Sequence, residues 1–443
     1  MEKKTWKIRA MQIAMALLCL VMLSMPLYVG LQKLALKHPS WNRGLIAAIL
    51  CDAPKKNPVP EIKKEKVDWE KEYPFAQNER KPIQLFKGKH KSPAERLGEN
   101  NNKRLVGYYH IVEAGRRLES RLGWEIKNPG LQTYLLGDGY WDYFYAKIDM
   151  KERAESVTRL SRFVAAQGGH FCYVQAPAKE APKGETEKFC EKNYANQNAD
   201  DLKRYLMESG VDYLDLREAL MQEKTAHEFH QLFFRTDHHW LPQTAVQAAR
   251  IVGEKIQRDY GVQVQLERLS LDQYSIDTKK AFFLGSQGKK VTLALAQPDD
   301  FPVLHPLGKT DFYINNYQTS KNLEGPFEIT YDKNPMGVKD FYNANPYGAY
   351  GGGDGPLYSL ENRQLTDFKN RKVLLIKDSF GDTFSPAFAM GIKHLIVLDV
   401  RSFTGSVETL IRKEKPDVVL LMYTPNYEGE IDWRKHEAKF DFR

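Results

Sequence analysis

The run "FFRTDHHWLPQTAVQAARIVGEKI" places Asp237, His238 and His239 in consecutive positions, ahead of Trp240 and an amphipathic pattern. An acid two residues before a base can do chemistry, because in an extended segment the side chains of Asp237 and His239 project to the same face. The carboxylate then fixes the imidazole tautomer and stabilises its protonated form, the part the acid plays in Ser-His-Asp sites. In that register His238 points the other way and reads as structural, and Trp240 reads as packing. A second run, "RKVLLIKDSFGDTFSPAFAMGI", ends an apolar strand at Lys377, Asp378 and Ser379 and leads into a helix over Thr383 to Met390. Open α/β sheets bind ligands at the carboxyl ends of their strands, and a serine there meets the N-terminal end of the next helix. Free backbone N–H groups of Ser379 and its successors would stabilise an oxyanion. The bland alternative makes Ser379 an N-cap and Asp378 a turn residue.

Zinc is the rival reading of the first run, since Asp237, His238, His239 and nearby His230 all have ligand chemistry. Adjacent histidines rarely ligate one ion together, and the chain has no H-E-x-x-H helix, so neither metal nor cofactor is expected. The order Asp, His, Ser differs from that of α/β-hydrolases and there is no G-x-S-x-G elbow, but roles and geometry define a triad, not chain order.

The elements that must position these residues are those of an α/β domain. "HFCYVQA", "VDYLDL", "KVLLIKDS", "HLIVLDV" and "DVVLLMY" are nearly continuous apolar runs, as strands buried on both faces are. Helical patterns fall between several of them, over Lys151 to Gln167, Asp200 to Ser209, Pro242 to Arg258 and Val407 to Lys413, so crossovers would place helices on both faces of a parallel sheet. From about Gln265 to Tyr358 helical periodicity is lost and aromatics, Gly and Asn abound, which predicts an irregular or β-rich insertion near the site.

The remainder of the chain bounds the setting. The 443 residues can bury a substantial core without staples. Lys+Arg 65 against Asp+Glu 57 gives a net charge of +8, with much of the excess in the first hundred or so residues, and no zinc-finger, phosphate-loop or dinucleotide pattern appears, so nucleic acid is not an expected partner. Behind the basic "MEKKTWKIR", residues Ala10 to Leu31 carry no charge. About 22 residues of helix rise roughly 33 Å, enough to cross a bilayer. The basic flank predicts a cytosolic N-terminus and an exported body, that is, a single-pass signal anchor over 1–31 in the cell membrane; a cleaved signal peptide is the competing reading. Residues 32–103 are charged and proline-containing and read as a stalk, with the domain proper over 104–443. An exported location permits a disulfide between Cys172 and Cys190, while the apolar run around Cys172 equally suits a buried thiol.

Together, "TDHHW" and "IKDSFGDTFSPAF" resemble the DHHW and alginate O-acetyltransferase-like branch of SGNH hydrolase-like proteins. The likeness extends over roughly Leu131 to Pro425 through weaker blocks: "LLGDGYWDYF", where "YWDY" departs from the family's plainer run, "YVQAPAKE" with its proline-and-lysine turn, "VLDVRSF" and "VVLLMYTP". The resemblance implies a flavodoxin-like, SGNH-type α/β domain in which Ser379 is nucleophile, His239 base and Asp237 the orienting acid. It also implies an extracytoplasmic acetyltransferase acting on a bacterial polysaccharide, often supplied with acyl groups by a multi-spanning membrane acyltransferase. Arg401 of "DVRSF" is carried over as a substrate or oxyanion contact, with a surface salt bridge as the alternative. The glycines of "YGAYGGGDGPLY", Gly352 among Gly351 to Gly353, would let the backbone approach substrate or simply form loop. Tyr350, with Tyr313, Tyr317, Tyr342 and Tyr347, is either a sugar platform or packing. A carbohydrate acetyl esterase with the same triad, and a non-catalytic glycan-binding partner of a membrane acyltransferase, are the alternatives.

Overall fold

Nearly continuous apolar side chains along five short runs build the centre of the molecule. In the computed structural model of the chain, the described residues are 112–117, 133–136, 138–182, 193–317, 321–337, 339–352, 355–403, 405–425 and 439–442. The expected anchor (1–31), the expected stalk (32–103) and Cys190 lie outside them. No helix among the described residues is long and apolar enough to cross a membrane.

In chain order the elements are β1 (Thr133–Leu135), β2 (Trp141–Tyr143), α1 (Lys151–Ala166), β3 (His170–Gln175), α2 (Ala195–Glu208) and β4 (Tyr213–Asp215). Then come α3 (Leu216–Met221), α4 (Ala226–His230), α5 (Pro242–Tyr260), β5 (Tyr274–Phe283), α6 (Ser286–Val291) and β6 (Asp299–Pro306). After them follow β7 (Phe312–Asn316), β8 (Lys321–Gly325), α7 (Lys333–Gly337), β9 (Leu357–Asn362) and β10 (Lys372–Lys377). Last are α8 (Gly381–Ala389), β11 (His394–Leu398), α9 (Val407–Glu414) and β12 (Val418–Tyr423).

One sheet runs β4-β3-β12-β10-β11-β9-β7-β8. Its first five strands are parallel and are the five apolar runs of the sequence. The period of two sorts their side chains between two cores. Cys172, Val174, Val373, Leu375, Leu420 and Met422 pack with α5 and α8, whereas Phe171, Tyr173, Leu374, Ile376, Leu421 and Tyr423 pack with α1, α2 and α9. Helices therefore cover both faces, and β12, buried at every position, lies between β3 and β10.

Local signals explain the helix ends. Pro242 opens α5, where its missing N–H costs nothing, and Gly261 closes it with a φ of 64°. Ser406 caps α9 by accepting from the Thr409 N–H.

The span from about 265 to 358 is β-rich as expected, but it is not wholly an insertion. β7 and β8 join the central sheet antiparallel through β9, and only the two-stranded β5–β6 ladder stands apart. Cys172 is a buried free thiol whose pKa burial pushes up to about 12.

Candidate active site

β10 delivers Ser379 to the carboxyl edge of the sheet through a tight turn. The buried Asp378 carboxylate accepts from the Phe380 N–H at 3.0 Å and from the Thr424 N–H and hydroxyl, both at 2.8 Å, so it fastens the end of β10 to the residue after β12. Burial raises its pKa against those hydrogen bonds. The turn consumes N–H groups that the sequence reading assigned to an oxyanion. Phe380 and Gly381 donate to Asp378, and Asp382 donates to the Ser379 carbonyl. Among the described residues, only the Ser379 N–H of this group donates to no acceptor.

The segment before α5 brings His239 to that serine. His239 Nε2 lies 2.7 Å from Ser379 Oγ, and His239 Nδ1 lies 2.5 Å from Asp237 Oδ1. Asp237, His239 and Ser379 thus form one continuous hydrogen-bonded chain across 140 residues of sequence. The segment is a bend rather than a strand, and Asp237 Oδ1 also accepts from the His239 N–H at 3.1 Å, an Asx-type turn that aligns acid and base. His238 accordingly does not point away. Its ring lies 3.8 Å from that of His239, and its Nδ1 lies 2.9 Å from Ser286 Oγ.

Burial opposes the charge on Asp237, but the two neighbouring imidazoles, the His239 hydrogen bond and the Ser286 N–H at 2.6 Å outweigh it and hold the carboxyl well below the usual range. Burial and then the His239 charge push His238 down to about 3, so it is neutral wherever the base works.

Residues without any spacing signal lock this arrangement. Asp299 accepts from the Arg235 N–H at 3.0 Å, the Thr236 N–H at 2.9 Å and the Thr236 hydroxyl at 2.5 Å. Gly285 presses so closely that a Cβ there would lie 2.2 Å from Asp237 Cβ, which only glycine avoids. The Trp240 indole N–H reaches Thr383 Oγ1 at 2.8 Å and the Phe380 carbonyl at 3.2 Å, so packing and a tie to the serine turn share one side chain. Tyr347 stacks on His239 with ring centroids 3.7 Å apart and donates to the Ser379 carbonyl at 3.2 Å.

The remaining candidates, Arg401, Tyr350 and Gly352, meet the protein's own groups or lie beside them. Arg401 donates through Nε to both oxygens of the buried Asp399, at 2.9 and 3.1 Å. Asp399 and Asp382 flank the fully buried Lys377 Nζ, raising its pKa against the burial penalty, so a charged cluster underlies the serine turn. Tyr350 is 1% exposed among Phe301, Tyr331 and Tyr347, with its hydroxyl on the Pro302 carbonyl, a packing position rather than a platform. Gly352 ends the turn over 346–352, and beside it Gly351, at φ 61°, would put a Cβ 2.8 Å from the Asp382 carbonyl. Close backbone approach is therefore real there, but to α8.

His230 pairs with Asp138 at 2.6 Å, apart from the relay. Asp237, His238 and His239 do present ligand-type atoms within 4.8 Å of one another. In this geometry Asp237 Oδ1 and the Nδ1 atoms of both histidines are engaged in hydrogen bonds to protein partners.

The site thus joins a mostly parallel sheet, a serine at one strand's carboxyl end and a D-x-H pair leading into a helix. Residues 142–293 match the family model for the SGNH hydrolase-like domain of the acetyltransferase AlgX, which bears out the resemblance read in the sequence. That stretch includes Asp237 and His239, while Ser379 lies beyond it. No curated protein matches the chain in sequence. Among solved structures, Bacillus cereus PatB1 with a sulfonyl adduct is similar at a TM-score of 0.55 and 19% identity, over 70% of this chain and 99% of its own. A second PatB1 structure gives 0.55 at 20% identity, covering 70% and 100%. A DHHW family protein from Eubacterium siraeum gives 0.50 at 20% identity, covering 69% and 95%. At these identities the likeness is one of fold.

Proposed function

We propose that the chain is a serine-dependent O-acetyltransferase acting on a polysaccharide, held to the outer side of a cell membrane by its N-terminal apolar segment. The observation that carries the reading is the unbroken hydrogen-bonded chain from Ser379 through His239 to Asp237. Ser379 Oγ attacks the acyl carbonyl as its proton passes to His239 Nε2, and Asp237 stabilises the resulting imidazolium. The tetrahedral oxyanion takes the Ser379 N–H, and on collapse the leaving group receives the proton from His239. A sugar hydroxyl then gives its proton to His239 as it attacks the acetyl-serine; the bond from Ser379 Oγ to the acyl carbon breaks, Oγ takes that proton back from His239, and the sugar departs as its O-acetyl ester.

Neutral His238 beside the base adds no charge to oppose the imidazolium. A multi-spanning membrane acyltransferase is the proposed source of acyl groups. Ser379 is itself part-exposed, so water can compete with the sugar, and esterase activity is the side reaction this favours.

The test is turnover of an activated acetyl ester with and without an acceptor oligosaccharide, in wild type, Ser379→Ala and His239→Ala. Acetylated sugar formed only by wild type supports the transferase; release of acetate that no sugar diverts points to the esterase. Equal background in all three would reject the serine mechanism. PatB1 has been captured with a sulfonyl adduct, so a sulfonyl fluoride is a matching probe for Ser379.

A further inference from the structure

The proline-and-lysine turn after β3, "APAKE", has no part in the relay, yet it buries a cation against the segment that carries Asp237. Lys179 is 0% exposed. Its Nζ donates to the Trp141 carbonyl at 2.5 Å, to Gln287 Oε1 at 3.2 Å and to the Arg235 carbonyl at 3.4 Å. Three ammonium protons thus meet three acceptors, one on β2, one on α6 and one two residues before Asp237. The Trp141 N–H donates to the same Arg235 carbonyl at 2.8 Å, so the two strands of chain are pinned together at that point.

The acceptors are all neutral, whereas the surrounding charges are mostly carboxylates. Asp142, Asp237, Asp299 and Asp138 face the ammonium, with His238 beyond and the Tyr140 ring 6.0 Å away. Gln287 turns its amide N–H to Asp142 at 3.4 Å while its oxygen takes Lys179, so it couples cation and carboxylate. A buried cation in this setting offsets several negative charges without forming a direct ion pair.

We propose that Lys179 is a positioning residue for acyl transfer: its ammonium pins the Arg235–Asp237 segment to β2 and α6, and removal of its charge slackens the Asp237–His239–Ser379 alignment. This rests on the reading of those three residues as the catalytic relay. Burial lowers the Lys179 pKa to about 8 against the pull of the four carboxylates. The charge is therefore present below about pH 8 and lost as pH rises through it. Since the folded pKa lies below that of an unfolded lysine, this group does not itself unfold the protein on the alkaline side. Glu180, next in the chain, is also shifted to about 8, by burial and then by Asp142, so the two must be separated.

The experiment measures kcat and KM for an activated acetyl ester from about pH 6 to about pH 10 in the full chain, with melting curves at each pH. Wild type, Lys179→Met, Lys179→Arg, Glu180→Gln and Ser379→Ala are compared. The inference predicts a wild-type kcat that falls with a midpoint near pH 8, with unchanged KM and an intact fold. Glu180→Gln keeps that step, Lys179→Arg lacks it, and Lys179→Met has about tenfold lower kcat throughout and no step. A flat wild-type profile, a step that survives in Lys179→Arg, or a step lost in Glu180→Gln would overturn it, and these hold even where Lys179→Met fails to fold. Full turnover in Ser379→Ala would instead reject the relay reading on which the inference stands.

Discussion

Each member of the relay is replaceable by a side chain that removes one function. Ser379→Ala and His239→Ala should each lower kcat by about 10³-fold or more, and Asp237→Asn by about 10²- to 10⁴-fold through a misoriented imidazole, with little change in KM. Tyr347→Phe keeps the stack on His239 and loses only the hydroxyl contacts, so it should stay within about threefold of wild type, while Tyr347→Leu should drop about tenfold with KM preserved. Steady-state kinetics beside melting curves distinguishes these from unfolding. Because the Asp237 pKa is depressed, its stabilising contribution is present above the usual carboxylate range and is lost only as pH falls through the lowered value. The gap in melting temperature between wild type and Asp237→Asn should therefore hold from neutral pH to about pH 4 and close only in stronger acid. At this scale the meeting of Asp237, two residues before His239, with Ser379 at a strand end was legible as residue types at short spacing, and the fold joins the three by hydrogen bonds. Tyr350 was not, since burial rather than residue type decides whether an aromatic meets substrate.

Elements hold these side chains through contacts that no local pattern announces. The Asx-type bend of Asp237 is braced by Ser286, 49 residues on, and by Asp299, 63 residues beyond Thr236, largely through backbone groups that every residue type possesses. Gly285→Ala tests that brace. A Cβ forced to within 2.2 Å of Asp237 must displace the acid or the β5–α6 connection, so kcat and melting temperature should both fall. A variant with wild-type values would show that the connection yields freely. The five parallel strands were legible because burial on both faces leaves continuous apolar runs, and α5 because Pro242 and Gly261 punctuate it. β7 and β8 were not legible as sheet members. They are antiparallel additions at one end: β7 reads FYINN and β8 KNLEG, short mixed runs with no continuous apolar stretch, and their place is set by β7 pairing with β9, 42 to 50 residues away, and by β8 pairing with β7.

At the scale of the whole molecule, two cores share one sheet, and the serine turn sits at the carboxyl end of β10, beside the fully buried β12. Leu420→Ala in β12 should cost about 2–5 kcal/mol in denaturant unfolding while leaving the kinetics of the folded fraction unchanged, since the strand supports the site without touching its chemistry. The central claim is that Ser379 carries the acyl group between donor and acceptor. It is tested most directly by quenching the protein in acid shortly after mixing with an activated acetyl ester, then taking the intact mass and mapping peptides. The account predicts a population heavier by one acetyl group, the group located on Ser379, absent in Ser379→Ala and formed far more slowly in His239→Ala. Turnover that proceeds with no acetyl-serine, or an adduct that forms equally well in Ser379→Ala, would contradict it.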